Sequence, residues 1–350
     1  MNFASDNTAG VAPEIMTALT QANEGFALGY GNDALTKRTE QRIAKAFNRD
    51  VAAFLVTTGT ACNSLAIAHF TPPWGAVLCH HDAHIVTDEC GAPEFFGNGI
   101  KLVGLPGDSG KIAPAVLKAA LEKPQWGAPH HVMPSVLSLS QATEAGTIYQ
   151  PSEIRALADL AHAHGLTVHM DGARLGNALA RMNASPDEAT WKAGVDVLSF
   201  GATKGGAMGA EAIVFFDKER AAGMDRRRKR GGHLLSKHRF VAAQMDAYLA
   251  DDLWLKLARH ANAMADRLSD KLTTAGLPPV WPVEANEVFV LMPKSVCERL
   301  KARGAAFYER VADNLPKTAI VTPDSVKVRL VTSFATTAAE VDDFVAITSA

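Results

Sequence analysis

Val195-Asp-Val-Leu-Ser-Phe-Gly-Ala-Thr-Lys204-Gly-Gly206 places one lysine just past an apolar strand and against small residues. An earlier apolar run ends in acid, His169-Met-Asp171-Gly-Ala-Arg174. In a glycine-walled, poorly hydrated pocket a lysine favours its neutral amine, which can hold a carbonyl as a Schiff base. An aspartate at the end of a neighbouring strand can keep a pyridine nitrogen protonated. A lysine after Ser or Thr in a loop is common on protein surfaces, so Lys204 draws its weight from the matched strand end at Asp171.

Outward from this pair, short apolar runs alternate with helical stretches. Strands are expected over 52–56, 76–80, 101–105, 132–139, 166–170, 195–200 and 211–216. Helices are expected over 60–69, 113–121, 152–164 and 174–182. Near-continuous apolar strands alternating with helices predict an α/β fold, a mostly parallel sheet covered by helices on both faces. Ligands of such sheets gather at the carboxyl ends of the strands, where Lys204 and Asp171 fall.

Beyond residue 217 the pattern changes. A basic helix, Asp225-Arg-Arg-Arg-Lys-Arg230, is followed by helices over 237–249 and 252–275 and by the linker Gly276-Leu-Pro-Pro-Val-Trp-Pro282. Strands over 287–292 and 325–331 then alternate with helices over 294–303 and 338–347. The expected division is a large cofactor-binding domain over 1–250 and a small α+β domain over 251–350. The first 20 or so residues can pack on the small domain. There is no internal repeat and no low-complexity segment.

A chain of 350 residues exceeds the usual size of a single core. A hydrophobic content of 47% and a charged content of 21% are those of an ordinary globular protein. The net charge of −2 argues against non-specific binding to nucleic acid or anionic membranes. No apolar run is long enough to span a bilayer. Met1-Asn-Phe-Ala-Ser-Asp-Asn-Thr8 lacks the basic start and apolar core of a secretory signal. Cys62, Cys79, Cys90 and Cys297 show no metal or redox spacing and read as reduced thiols of a cytoplasmic protein. His80, His81 and His84, or His162 and His164, are close in sequence but lack cysteine partners, so no metal is expected.

Phe54-Leu-Val-Thr-Thr-Gly59-Thr60-Ala-Cys-Asn-Ser64 reads as a strand, a glycine turn and a helix start. The free N–H groups and positive dipole end there make an anion site, and Gly59 allows close approach. Thr60 adds a hydroxyl, either to a phosphate or as the helix N-cap. Glycine patterns of the common nucleotide-binding loops are absent. His84, in Asp82-Ala-His84-Ile-Val-Thr-Asp88-Glu89, is either a histidine bonded in a turn or an imidazole stacked on a flat cofactor. Glu89 is a carboxylate able to orient it. Arg329 interrupts the apolar strand Val326-Lys-Val-Arg-Leu-Val331 and shares its face with Lys327. It is either a solvated edge-strand charge or a clamp for a carboxylate. An aldehyde anchor, a ring counter-ion and a phosphate turn together meet the needs of pyridoxal 5′-phosphate.

These residues resemble the threonine aldolase family, pyridoxal-phosphate enzymes with the aspartate aminotransferase type of fold (fold type I). The resemblance runs from Ser5-Asp-Asn-Thr-Ala-Gly10 to Val328-Arg-Leu-Val-Thr332. In family order it passes through Tyr30-Gly-Asn-Asp33, Thr58-Gly-Thr-Ala61, Asp82-Ala-His84, Asp171-Gly-Ala-Arg174 and Thr203-Lys204-Gly205. It implies retro-aldol cleavage of L-threonine, L-allo-threonine and related β-hydroxy-α-amino acids to glycine and an aldehyde. Lys204 would form the Schiff base, Asp171 would pair with the ring nitrogen and His84 would stack on the ring. Gly59 and Thr60 would hold the phosphate. Arg174 would lie near the cofactor's phenolic oxygen and the substrate carboxylate, with Ser5, Arg329 and Tyr30 on the substrate. The family builds its sites between subunits, so a homodimer or homotetramer is implied, with Lys229 or Lys237 reaching a phosphate across the interface. The same basic segment also reads as a solvated helix face.

One departure stands out. Many members carry Leu-Ser-Leu-Glu-Asn-Thr-His, whose histidine contacts the substrate hydroxyl, where this chain reads Leu137-Ser-Leu-Ser-Gln141-Ala-Thr143-Glu144-Ala-Gly146. The segment is more similar to a branch of low stereochemical selectivity that includes phenylserine-cleaving enzymes. The base for the hydroxyl proton is therefore open among His84, Glu89, Thr143, Glu144 or a water they hold. The same scaffold also serves β-eliminating lyases and aminotransferases, and a non-catalytic pyridoxal-phosphate carrier is the reading from a different class.

Overall fold

Strand order in space departs from strand order in sequence at two places. A computed structural model describes residues 1–349. Seven strands form the main sheet: β1 (Ala52–Val56), β2 (Gly75–His80), β3 (Lys101–Leu105), β4 (Met133–Ser140), β5 (Thr167–Gly172), β6 (Val197–Gly201) and β7 (Glu211–Phe215). Their spatial order is β1-β7-β6-β5-β4-β2-β3, with the departures between β1 and β2 and between β3 and β4. From β3 to β6 all neighbours are parallel, whereas β7 runs antiparallel to both β6 and β1. The reason lies in the connections. Helices cross between the parallel strands, but only the turn holding Lys204 joins β6 to β7, too short for a crossover.

The expected α/β class, a mostly parallel sheet under helices with a smaller α+β unit, is the architecture observed. β5, β6 and β7 are buried along their whole length, as strands covered on both faces must be. Phe200 is fully buried and meets Phe47 and Trp254 edge-on, each with ring centroids 5.4 Å apart. Burying a side chain of this size contributes about 2–3 kcal/mol, so these rings are a main tie between the sheet and its helical layer.

The second sheet has the order β8 (Glu287–Pro293), β10 (Ser325–Val331), β9 (Tyr308–Arg310), all antiparallel. Its core holds Val288, Val290, Val328, Leu330 and Phe344, together with Phe3 from the N-terminus. Phe3 N–H donates to Ala306 O and Val331 N–H donates to Phe3 O. Further along, Ala12 N–H donates to Gly206 O beside Lys204, so the first residues strap the small sheet to the main one. The long helix Leu253–Thr274 does the same, with Trp254 in the main core and Leu268 and Leu272 in the small one.

Several details differ from expectation, among them strand β9, which no expected element covers. Helices Pro13–Ala22 and Ala34–Ala46 were not anticipated; proline at the first turn starts one, and Asp33 caps the other through Thr36 N. The cap of helix Gly59–Phe70 is Thr58, whose hydroxyl accepts from Ala61 N, so Thr60 is not the N-cap. Arg329 lies on the central strand of its sheet, which removes the edge-strand reading.

Candidate active site

Lys204 stands in the tight turn after β6. Gly205 N–H and Ala207 N–H both donate to Ala202 O, folding the chain back on itself. A Cβ at Gly205 would collide with the Tyr248 hydroxyl, and Gly206 adopts a φ of +122° that L side chains rarely take. These two glycines let the turn press against helix Arg239–Leu249 while the lysine projects into a cleft. The cleft has two chambers, one of about 450 Å³ and one of about 570 Å³. Lys204, Asp171, His84, Asn7 and Ala173 line both, so the lysine and its acid stand at the waist between them.

Asp171 comes from the carboxyl end of β5, opposite Ser199 of β6. Its Oδ1 accepts Ala173 N–H at 3.0 Å and its Oδ2 accepts Asn63 Nδ2 at 2.8 Å. Burial alone would raise this carboxyl, but the charges of Lys204 and His84 and these two donors hold it below its usual range. It is an anion ready-made for a cationic partner. Asn63 Nδ2 also donates to Glu89 Oε1 at 2.8 Å, and Glu89 Oε1 lies 2.9 Å from His84 Nδ1. The Glu89 contact raises the His84 imidazole against the opposing effect of burial, with Asp171 adding to the rise. His84 is thus a fixed, positively biased ring at the edge of both chambers.

One chamber is lined by Thr57, Thr58, Gly59, Thr60 and Glu211. Cys62 N–H donates to Thr58 O and Ala61 N–H to the Thr58 hydroxyl, leaving Gly59 N–H and Thr60 N–H at the open end of the helix. Beyond its chain neighbours and its own helix backbone, no atom of the described residues lies within 4 Å of where a Gly59 Cβ would stand, so the space beside these donors is open. A helix N-terminus with free donors, a lysine and a buried carboxylate form the donor set that a phosphorylated pyridine aldehyde demands, and the residues fit that group. Burial raises Glu211 to about 7, opposed by hydrogen bonds with Thr203 and by Lys204.

The other chamber is walled by Arg329, Ser5, Glu287, Glu144, Phe289 and Trp281. Arg329 Nη2 donates to Ala4 O at 3.3 Å, while its buried Nε has no partner among the described residues. Arg174 is more tightly engaged. Its Nε donates to Asp6 Oδ2 at 2.8 Å and its Nη2 to Asp6 Oδ1 at 3.2 Å. Its Nη1 lies 3.2 Å from Glu287 Oε2, close enough for charge pairing without hydrogen-bond alignment. Burial would lower the Arg174 guanidinium, but Asp6 and Glu287 raise it and keep it charged. Asp6 is itself opposed by burial, then held below its usual range by Arg174 and Lys204.

Lys204, Asp171, His84, Arg174, Ser5 and Arg329 therefore meet at one chamber, and Gly59 and Thr60 line the other. Tyr30, Lys229 and Lys237 are not among the cleft's lining residues. They cluster elsewhere, with Lys229 Nζ 4.7 Å from the Tyr30 ring centroid and Tyr30 N–H donating to Ser236 O beside Lys237. Asp6, Asn63, Glu211 and Glu287 were not anticipated. The available signal was a lone polar residue inside or at the head of an apolar element: Asn63 within the buried run Ala61–Ala68, Glu211 and Glu287 opening β7 and β8.

Comparison with known proteins agrees with this geometry. Residues 2–295 match the family model described as Beta-eliminating lyase. The chain is 44% identical over 312 residues to a low specificity L-threonine aldolase of Pseudomonas aeruginosa, covering 89% of this chain and 90% of that one. It is 43% identical to another from a Pseudomonas species, covering 87% and 88%. Among solved structures, the threonine aldolase of Leishmania major superposes with a TM-score of 0.91 at 27% identity, over 99% of this chain and 98% of that one. The serine palmitoyltransferase of Sphingomonas wittichii shares the fold at a TM-score of 0.71 and 14% identity, over 100% and 86%.

Proposed function

Because the chain belongs to the Beta-eliminating lyase family and is a near relative of low specificity L-threonine aldolases, we propose that it is a pyridoxal-phosphate-dependent L-threonine aldolase. Its substrates are L-threonine, L-allo-threonine and related β-hydroxy-α-amino acids such as phenylserine, and its products are glycine and an aldehyde. The observation that carries this reading is the pairing of Lys204 and Asp171 on adjacent strand ends, shared by both chambers of one cleft.

In this reading Lys204 anchors the cofactor aldehyde, Asp171 holds the proton on the ring nitrogen, and the ring of His84 lies against the cofactor. The N–H groups of Gly59 and Thr60 take the phosphate. When bound, pyridoxal phosphate supplies an electron sink for the pair left when the Cα–Cβ bond breaks. Arg329 and Ser5 hold the substrate carboxylate. Arg174, committed to Asp6 and Glu287, provides fixed positive charge beside them rather than a free clamp. Together these contacts orient the scissile bond, and such positioning is worth much of an enzyme's rate.

The active protein is a homo-oligomer with Tyr30, Lys229 and Lys237 turned toward a partner's cleft. Support comes from Phe26, Leu28, Tyr30 and Phe95, large apolar side chains left exposed in the single chain. Four free cysteines favour a cytoplasmic location.

The test is to supply the purified protein with pyridoxal phosphate and each of L-threonine, L-allo-threonine and L-phenylserine, then measure glycine and aldehyde. Equimolar release of both is expected. Ammonia with a keto acid would instead assign an eliminating lyase, and no product from any of the three would refute the proposal.

A further inference from the structure

We infer that Glu144 is the base that takes the proton of the substrate's β-hydroxyl, a role no histidine fills in this chain's β4 loop. The inference rests on the aldolase reading above. Glu144 lines the substrate chamber with Arg329, Ser5, His84 and Lys204. Its Oε1 is fixed from two sides, by His84 N–H at 2.8 Å and by the Ser140 hydroxyl at 2.7 Å. Its Oε2 is buried and has no partner among the described residues. A carboxylate with one oxygen clamped and the other orphaned in a cavity wall is built to accept a hydrogen bond from something that enters the cavity.

The other candidates are spent or misplaced. His84 Nδ1 is committed to Glu89 and the ring is biased toward its protonated form, which cannot act as a base. Thr143 is tied to Ser109 O and the Thr147 hydroxyl. Glu89 Oε2 is also unpartnered, but Glu89 lines the phosphate chamber and not the substrate chamber. Burial raises Glu144 to about 7, against the lowering effect of Ser140 and His84 N–H, and Asp171 adds to the rise. The remaining titratable neighbours are the buried thiol of Cys79 and the phenol of Tyr149, both pushed up by burial and both neutral near pH 7.

The step balances without another reactant. The hydroxyl proton passes to Oε2, and the O–H pair becomes the second C–O bond of the aldehyde. The Cα–Cβ bond breaks and its pair stays with the glycine fragment. Cα then gains one proton, matching the one removed.

Glu144→Gln keeps size and the Oε1 contacts while removing the base. We expect turnover of L-threonine to fall by roughly 10²–10⁴. Exchange of the glycine α-proton with deuterated solvent, which involves no hydroxyl, should stay within about threefold of wild type in the holoenzyme. The rising limb of the kcat/KM profile, which reports the free enzyme and is centred near pH 7 in the wild type, should vanish. Ser140→Ala removes a hydrogen bond that lowers the Glu144 carboxyl and should move that limb to higher pH. Cleavage by Glu144→Gln at the wild-type rate, equal loss of cleavage and of glycine exchange, or an unmoved limb in Ser140→Ala would each overturn the assignment. A wild-type protein that cleaves no β-hydroxy amino acid would instead refute the aldolase reading itself.

Discussion

Arg174 and Asp6 stand 168 positions apart in sequence and are joined by two hydrogen bonds, from Nε to Oδ2 and from Nη2 to Oδ1. Asp6 is buried and the Arg174 side chain is only 12% exposed, and Glu287 closes on the third side of the guanidinium. A buried cation held in this way is costly to strip of a partner, because the charge then has neither water nor a counter-ion. The pair also fixes the N-terminal segment that carries Ser5 into the substrate chamber.

Asp6→Asn should therefore destabilise the protein by about 3 kcal/mol, the lower end of the range for breaking a buried pair, since Glu287 remains. Urea unfolding followed by circular dichroism measures this. A midpoint unchanged from wild type would show that the pair is not a structural tie.

Lys204→Ala should lose turnover and the visible absorbance of bound cofactor while keeping its fold. Near-normal turnover would exclude Lys204 as the anchor.

Asp171→Asn keeps the shape of the side chain but not its charge. Turnover should fall by about 10²–10³, the usual cost of removing one preorganised electrostatic partner. A soluble variant cleaving threonine at the wild-type rate would disprove the role.

Arg329→Lys keeps a positive charge but loses the forked pair of donors. Two charge-assisted hydrogen bonds becoming one costs about 1.5–3 kcal/mol, or roughly 10- to 100-fold in kcat/KM. The loss should be the same for every amino acid tested and should leave the cofactor absorbance intact. An effect on one substrate alone would move Arg329 from the carboxylate to the side-chain pocket.

Glu211 makes stability depend on pH. It is raised from an ordinary 4.5 to about 7, so between these values the folded protein keeps a proton that the unfolded chain has released. The stability contributed by Glu211 is full below 4.5 and is lost as pH rises through about 7, about 3 kcal/mol in all. Thermal unfolding of the cofactor-free protein from about pH 5 to about pH 8 should show a smaller decline for Glu211→Gln than for wild type. Glu144 contributes its own decline equally to both. Parallel curves would remove Glu211 from the account.

Much of the architecture was legible in the chain, since buried strands and covering helices leave local signatures in the order of apolar residues. Lys204, Asp171 and Gly59 were legible for the same reason: each ends or follows an apolar strand, where parallel sheets gather their ligands. What could not be read is what depends on distant pairing. Asn63 is one asparagine in a helix until Glu89 and Asp171 are seen on either side of its amide. Arg174 looks like a free clamp until Asp6 and Glu287 are found on it. Thr58 and Thr60 are alike in sequence. Only the extended backbone of Thr58, with φ −139° and ψ 146°, makes it the cap. The sense of β7 followed from the length of one turn rather than from any residue within the strand.

The strap formed by the N-terminal residues bears on how the molecule is made. Phe3 hydrogen-bonds Ala306 and Val331, and Ser5 shares a chamber wall with Arg329. Arg329 and the Ala4 carbonyl it meets are 325 positions apart, so on the ribosome this strap is made long before its partners are. The substrate chamber therefore stays unfinished until both segments have been synthesised and have met.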